Sequence, residues 1–221
     1  MKNDAQKDRS QKVKMAAEKT CLILASASPR RREMFEALGL PFRVVVPRVS
    51  EVPRHEETPV DFALRNSREK AHCVARGGCA DLSERGGCVI VAADTIVVLE
   101  NRILGKPESE EHARAMLHAL SGKTHEVITG LCVLSVRGSN VAREKTQAVR
   151  TQVVFKELDA DEIDAYIRTH EPMDKAGAYA IQGIGGFMVR EIAGSYTNVV
   201  GLPLCELVEL LEKDFAFPLF G

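Results

Sequence analysis

The sequence predicts an α/β fold organised around a buried central strand. Two patterns carry this reading. Short apolar runs bounded by turn residues alternate with stretches of helical periodicity along the chain. One run, CVIVAAD at 88–94, is apolar up to its final aspartate, as a strand covered on both faces requires. At 221 residues the chain is ample for one domain with a sizeable core.

The elements follow in order. CLILA (21–25) reads as a short buried strand. Ser28 is a helix N-cap, Pro29 suits the first helical position, Met34, Phe35 and Leu38 share a face, and Gly39 ends the helix. FRVVV (42–46) is a second strand, running into a loop that carries Glu51. Thr58-Pro59 starts a helix with Asp61 in its first turn and Ala75 near its end. A glycine-rich loop (77–87) precedes CVIVAAD, which is expected to stop at Asp94. TIVVLENRILGKP (95–107) then forms a hairpin turning near Glu100-Asn101. Ser109 to Leu120 is a helix. HEVITGLCVLSV and VAREKTQAVRTQVVF make a long antiparallel ribbon around the turn RGSN. DADEIDAYIRTH is a capped helix, GAYAIQGIGGFMVREIAG is glycine-rich and strand-like, and LPLCELVELLEKD is a terminal helix.

Composition narrows the function. The net charge of -1 gives no general affinity for nucleic acid or anionic membranes, so any phosphate chemistry must come from local basic clusters. No apolar run reaches the ~18 residues of a membrane span. Residues 1–20 lack the apolar core of a secretory signal, and Asp4, Asp8 and Glu18 argue against an acidic-poor presequence. They are expected to form a flexible extension before a single domain spanning 21–221. The six cysteines form no CxxC pair and no tight zinc spacing with histidine, which fits reduced thiols and a cytoplasmic protein.

Three groups of residues carry candidate chemistry. In SASPRRR (26–32) a strand feeds a helix N-terminus, whose free N–H groups and positive dipole end favour an anion. Ser26 and Ser28 add hydroxyl donors, and Arg30 and Arg31 can fork onto phosphate oxygens. The competing reading is a solvated helix start whose arginines pair with Glu33 and Glu36, and Arg32 fits that reading. Asp94, closing an apolar strand, stands where α/β sheets place ligand chemistry and can hold a divalent cation or orient a water. A strand-end hydrogen bond is the plain alternative. Lys70, Lys106 and Lys175 sit in helices or turns that can face one cleft, although lone lysines usually serve solubility. Two motifs are set aside. SGKT (121–124) lacks the upstream glycine and preceding strand of a P-loop. GIGG (183–186) lacks dinucleotide spacing, and its glycines are better suited to a bulge or a close backbone approach.

Together these segments resemble the Maf-like nucleoside triphosphate pyrophosphatases from about Leu22 to Leu211. The resemblance rests on LASASPRRREMFEALG, Ser50-Glu51, REKA (68–71), ADTIV (93–97), GKP (105–107), LSGKTHEVITG, EPMDKAGAYAIQG and NVVGLPL. It implies an elongated mixed sheet with flanking helices and two lobes around a central cleft, similar to the inosine triphosphatase fold. It implies hydrolysis of a nucleoside triphosphate to monophosphate and pyrophosphate, a divalent cation (Mg²⁺ or Mn²⁺), and a homodimer. Residue by residue, it makes Asp94 the general base. Ser26, Arg30, Arg31, Lys70, Lys106 and Lys175 become phosphate-binding, and Glu51 with Asp94 metal-binding. It also makes Arg30, Thr95 and Gln182 specificity positions. SPRR, ADT and IQG look like the dTTP/UTP type, whereas SPWR, DQ and a glutamate mark the 7-methyl-GTP type. The chemistry agrees, because a glutamine offers both donor and acceptor to a pyrimidine imide edge. The alternatives are a related pyrophosphatase preferring modified or purine nucleotides, and a non-catalytic nucleic-acid-binding or regulatory module.

Overall fold

The computed structural model describes residues 20–78, 87–138 and 140–217. The expected extension up to position 19, most of the glycine-rich loop (79–86), Ser139 and the last four positions lie outside the described residues.

The chain is mixed α/β, as its alternating pattern predicts. Seven strands form one sheet in the order β2-β1-β3-β5-β6-β7, with β4 also paired to β3. They are β1 (Cys21–Leu24), β2 (Phe42–Val44), β3 (Cys88–Leu99), β4 (Arg102–Leu104), β5 (Thr124–Arg137), β6 (Asn140–Phe155) and β7 (Val189–Ala193). The helices are α1 (Pro29–Ala37), α2 (Pro59–Gly78), α3 (Glu110–Leu120), α4 (Ala160–Ile167), α5 (Tyr196–Val200) and α6 (Leu204–Glu209).

Local chemistry sets most boundaries. Ser28 caps α1 by accepting the Arg31 N–H, and Ser109 caps α3 by accepting that of His112. Asp159 and Glu162 form a reciprocal capping box at α4, a device worth ~1 kcal/mol. The β3–β4 hairpin turns at Glu100 and Asn101, both at positive φ, in the two-residue geometry that suits strand twist.

Two expectations are corrected and one element is added. β3 does not stop at Asp94 but runs unbroken to Leu99. The reason is β5, which pairs with β3 from Cys88↔Val136 to Val98↔Glu126 and carries it through its polar middle. The segment GAYAIQGIGG is not a strand. It folds as 3₁₀ turns at Ala176–Ala178 and Ile184–Met188, because Gly177 and Gly183 have positive φ; only Val189–Ala193 is extended. Finally, α5 is an extra short helix ahead of the expected terminal one, capped by Ser195, which accepts the Asn198 N–H.

Side chains alternate across β3. Ile90 and Ala92 pack with Ala71 and Val74 of α2, and Ile96 and Val98 pack with its Phe62 and Ala63. On the other face Val89, Val91 and Ala93 meet Leu202 and Leu207, while Val97 and Leu99 meet α3 and α4. Each face therefore carries two apolar clusters with one polar residue between them. That residue is Asp94 on the α2 face and Thr95 on the other.

Candidate active site

The sheet has a notch at this point. β1 pairs with β3 only as far as Leu24↔Val91, and β4 takes up the same edge from Val97. Between them, among the described residues, no strand lies beside Ala92 to Ile96. β1 leaves the sheet there, through Ser26 and Ser28, into the N-terminus of α1. The strand-end logic thus belongs to β1, while Asp94 reaches the same place from the middle of its own strand.

A cleft of about 550 Å³ opens over the notch. Ser26, Arg30, Arg31, Glu51, Lys70 and Asp94 line it. So do Thr95, Lys106, Lys175 and Gln182. Every position singled out from the sequence is brought to one cavity.

Asp94 is buried, and α2 engages both of its oxygens. Lys70 Nζ donates to Oδ1 at 2.6 Å, and Asn66 Nδ2 donates to Oδ2 at 3.1 Å. Asn66 and Lys70 are four residues apart, hence on one helical face. α2 approaches this closely because Gly130 lies opposite Asp94 on β5; a Cβ there would stand 2.2 Å from the Ala63 carbonyl oxygen. Lys70 Nζ also lies 2.9 Å from the half-exposed carboxylate of Glu51.

Arg31 is held on the opposite face. Its Nε donates to the Gly201 carbonyl at 2.7 Å and its Nη2 to Thr95 Oγ1 at 3.0 Å. Nη1 makes a longer contact, 3.5 Å, to Ser26 Oγ. Two of the five guanidinium N–H groups remain for a ligand. Burial pushes the Arg31 pKa down, opposed by the charges of Asp94 and Glu51. Thr95 Oγ1 also donates to the Gly201 carbonyl at 3.2 Å and lies 2.8 Å from Thr129 Oγ1. Gly201 ends α5, which Asn198 staples to the sheet through Val127 O and Thr151 Oγ1.

The remaining basic residues differ in how they are held. Arg30 and exposed Lys106 line the mouth, and Lys175 is paired with its neighbour Asp174. Ser26 Oγ accepts the Ser28 N–H at 3.1 Å, which fixes the hydroxyl and leaves its O–H to donate to a ligand. Arg32 points away and pairs with Glu36 at 2.8 Å. Asn66, Thr129, Gly130 and Gly201 escaped the sequence reading. Asn66 has a legible signal, the four-residue spacing to Lys70. The others depend on strand register and on how α5 docks.

Among the described residues no group of three or more His, Cys, Asp or Glu converges. Glu51 and Asp94 nevertheless converge on one cation, the Lys70 ammonium. Two hard carboxylates suit Mg²⁺ or Mn²⁺, which takes one or two carboxylates and completes its shell with phosphates and water. The donor set fits such an ion.

Fold and site together define a mixed α/β protein with a cleft that gathers arginines and lysines around a buried carboxylate. The model of the family described as Maf-like protein matches residues 21–214, and the chain belongs to that family. It is 49% identical over 199 residues to a dTTP/UTP pyrophosphatase of Geotalea uraniireducens, covering 90% of this chain and 97% of that one. It is 47% identical to a dTTP/UTP pyrophosphatase of Syntrophus aciditrophicus (86% and 88% covered). The corresponding Bacillus cereus protein, also a dTTP/UTP pyrophosphatase, is 45% identical (87% and 89% covered). A solved nucleoside-triphosphatase, a dITP/XTP pyrophosphatase from Mycobacterium abscessus, aligns with 68% of this chain and 95% of its own, at 15% identity and a TM-score of 0.33. That overlap is too slight to bear on fold or function. No described helix is long and apolar enough to cross a membrane.

Proposed function

We propose that this chain hydrolyses nucleoside triphosphates, with dTTP and UTP preferred, to the monophosphate and pyrophosphate. The observation that carries the reading is the single cleft in which Asp94 faces the arginine and lysine set. The names of the similar proteins support the same substrate class.

In this reading a water oxygen attacks the α-phosphorus, the bond from that phosphorus to the α–β bridging oxygen breaks, and pyrophosphate leaves. Asp94 orients the water and takes its proton. Asn66 and Lys70 fix the carboxylate for that role. Arg30, Arg31 and Ser26 hold the phosphate oxygens near the start of α1, where the helix dipole adds to the field. Lys106 and Lys175 neutralise the departing pyrophosphate. A divalent cation held by Glu51 and Asp94 would polarise the phosphate and offset its charge. Gln182 offers its amide to the imide edge of thymine or uracil.

A pyrophosphate-release screen over nucleotides, with Mg²⁺ or Mn²⁺ supplied, tests the reading. Pyrophosphate from dTTP and UTP is expected; orthophosphate, or no turnover of any nucleotide, would overturn it.

A further inference from the structure

The motif set aside above, GIGG, has a structural task beside the cleft. Residues Ala180, Ile181 and Gln182 line the cavity, and Gln182 is exposed at the tip of a tight turn. Both flanks of that turn are tied down by one pair of side chains. Upstream, the Ala180 N–H donates to the Tyr166 hydroxyl at 3.3 Å. Downstream, the N–H groups of Ile184 and Gly185 donate to the two carboxylate oxygens of Glu171, each at 3.0 Å. Tyr166 closes the set by donating its hydroxyl to Glu171 Oε1 at 3.1 Å.

The glycines are what let this turn close. Gly183 has φ 120°, and a Cβ on it would meet Glu171 Oε2 at 2.8 Å. A Cβ on Gly185 would meet the Tyr166 hydroxyl at 2.6 Å, and one on Gly186 would meet the Ile181 carbonyl oxygen at 2.8 Å. The backbone thus wraps directly onto the carboxylate and the phenol. Burial opposes the charge of Glu171, yet the Gly185 and Ile184 N–H groups, Tyr166 and Lys175 outweigh it, and its pKa is lowered.

We propose that Glu171 is a positioning residue for base selection: with Tyr166 it fixes the turn that presents Gln182. Glu171 acts through Gln182 and touches no substrate itself. The inference rests on the reading that Gln182 faces the base.

The test compares UTP with CTP, which differ at the edge Gln182 would read. The ratio of their kcat/KM values is measured for the wild type, Glu171→Gln, Tyr166→Phe, Gln182→Ala and the Glu171→Gln/Gln182→Ala double variant. Glu171→Gln keeps the volume but sets an NH₂ against a backbone N–H. It should lower the UTP preference about tenfold, chiefly through the KM for UTP. Tyr166→Phe should act in the same direction and less. Adding Glu171→Gln to Gln182→Ala should change the ratio by less than about threefold, because the two act in series. An unchanged ratio in Glu171→Gln, with Gln182→Ala relaxed, overturns the role of Glu171 and leaves that of Gln182 standing. An unchanged ratio in Gln182→Ala overturns the base-reading itself, and the inference with it. Should Glu171→Gln show no cooperative melting, Tyr166→Phe decides alone, and an unchanged ratio there overturns the proposal.

Discussion

The Thr95 hydroxyl lies 2.8 Å from that of Thr129, its cross-strand neighbour, and accepts an N–H from Arg31. One turn of chemistry therefore links β5, β3 and α1. Thr129 is fully buried and lies between two apolar clusters, where valine would be the simpler choice. Its hydroxyl meets Thr95, which holds the guanidinium, and also lies 3.4 Å from the Asn198 carbonyl of α5, the helix that ends at Gly201. Thr129→Val should raise the KM for nucleotide roughly threefold to tenfold with a smaller effect on kcat, and Thr129→Ser should restore it. Steady-state kinetics on the three proteins would settle this; an unchanged KM in the valine variant contradicts the relay.

Asp94→Asn should lower kcat by about 10²–10⁴, the range expected for a general base. Circular dichroism should show a folded protein, because the exchange preserves volume in a strand paired along its length by β5. Full turnover in that variant would remove Asp94 from the chemistry.

Gly130 is the position where a single methyl group should do most damage to the site. Its added Cβ cannot coexist with the Ala63 carbonyl, so α2 must move, and Asn66 and Lys70 with it. Gly130→Ala should destabilise the protein by about 1–3 kcal/mol. It should also reduce kcat, although position 130 contributes no chemical group. Chemical denaturation and kinetics on one preparation read both effects.

His125 should give the fold an acid limb. It is buried on β5, 2.8 Å from the Tyr179 hydroxyl, and burial pushes its pKa down to about 4. An unfolded histidine titrates near 6.5. Between those values the unfolded chain binds the extra proton. This contribution to stability is complete above about pH 6.5 and is lost as the pH falls towards 4, on the order of 3 kcal/mol in all. Urea unfolding at steps from pH 7 to pH 4 should show the decline. His125→Gln should show a shallower one; identical slopes would exclude His125 as its source.

Much of this molecule is legible along the chain because its signals are local. Ser28-Pro29, Ser109 and Asp159 mark helix starts by side chains that cap their own neighbours. Glu100-Asn101 marks its hairpin by a turn type. The polar residues of the cleft stood out against their apolar surroundings. What stayed hidden depends on distant partners. The length of β3 depends on β5, so Asp94 resembles a strand end when it is a strand centre. Thr129 has meaning only opposite Thr95, and Glu171 only beneath a turn that begins nine positions later at Ala180. The glycines of that turn suggest a strand with bulges until Glu171 and Tyr166 are seen beneath them.

The notch in the sheet also separates two properties that usually coincide. Ala93 is completely enclosed, backbone and side chain alike, whereas Thr95 is partly exposed. Val91, two residues earlier on the same edge, gives its carbonyl to the Ala25 N–H of the chain leaving β1. By strand alternation the amides of Ala93 and Thr95 point to that same edge, where β1 has already departed. Of the two, only Thr95 reaches the cleft, so its amide should exchange faster than its neighbours in the deepest strand of the protein, while the enclosed Ala93 amide stays slow. Occupation of the cleft should slow the Thr95 amide, giving a label-free report of binding from the centre of the core.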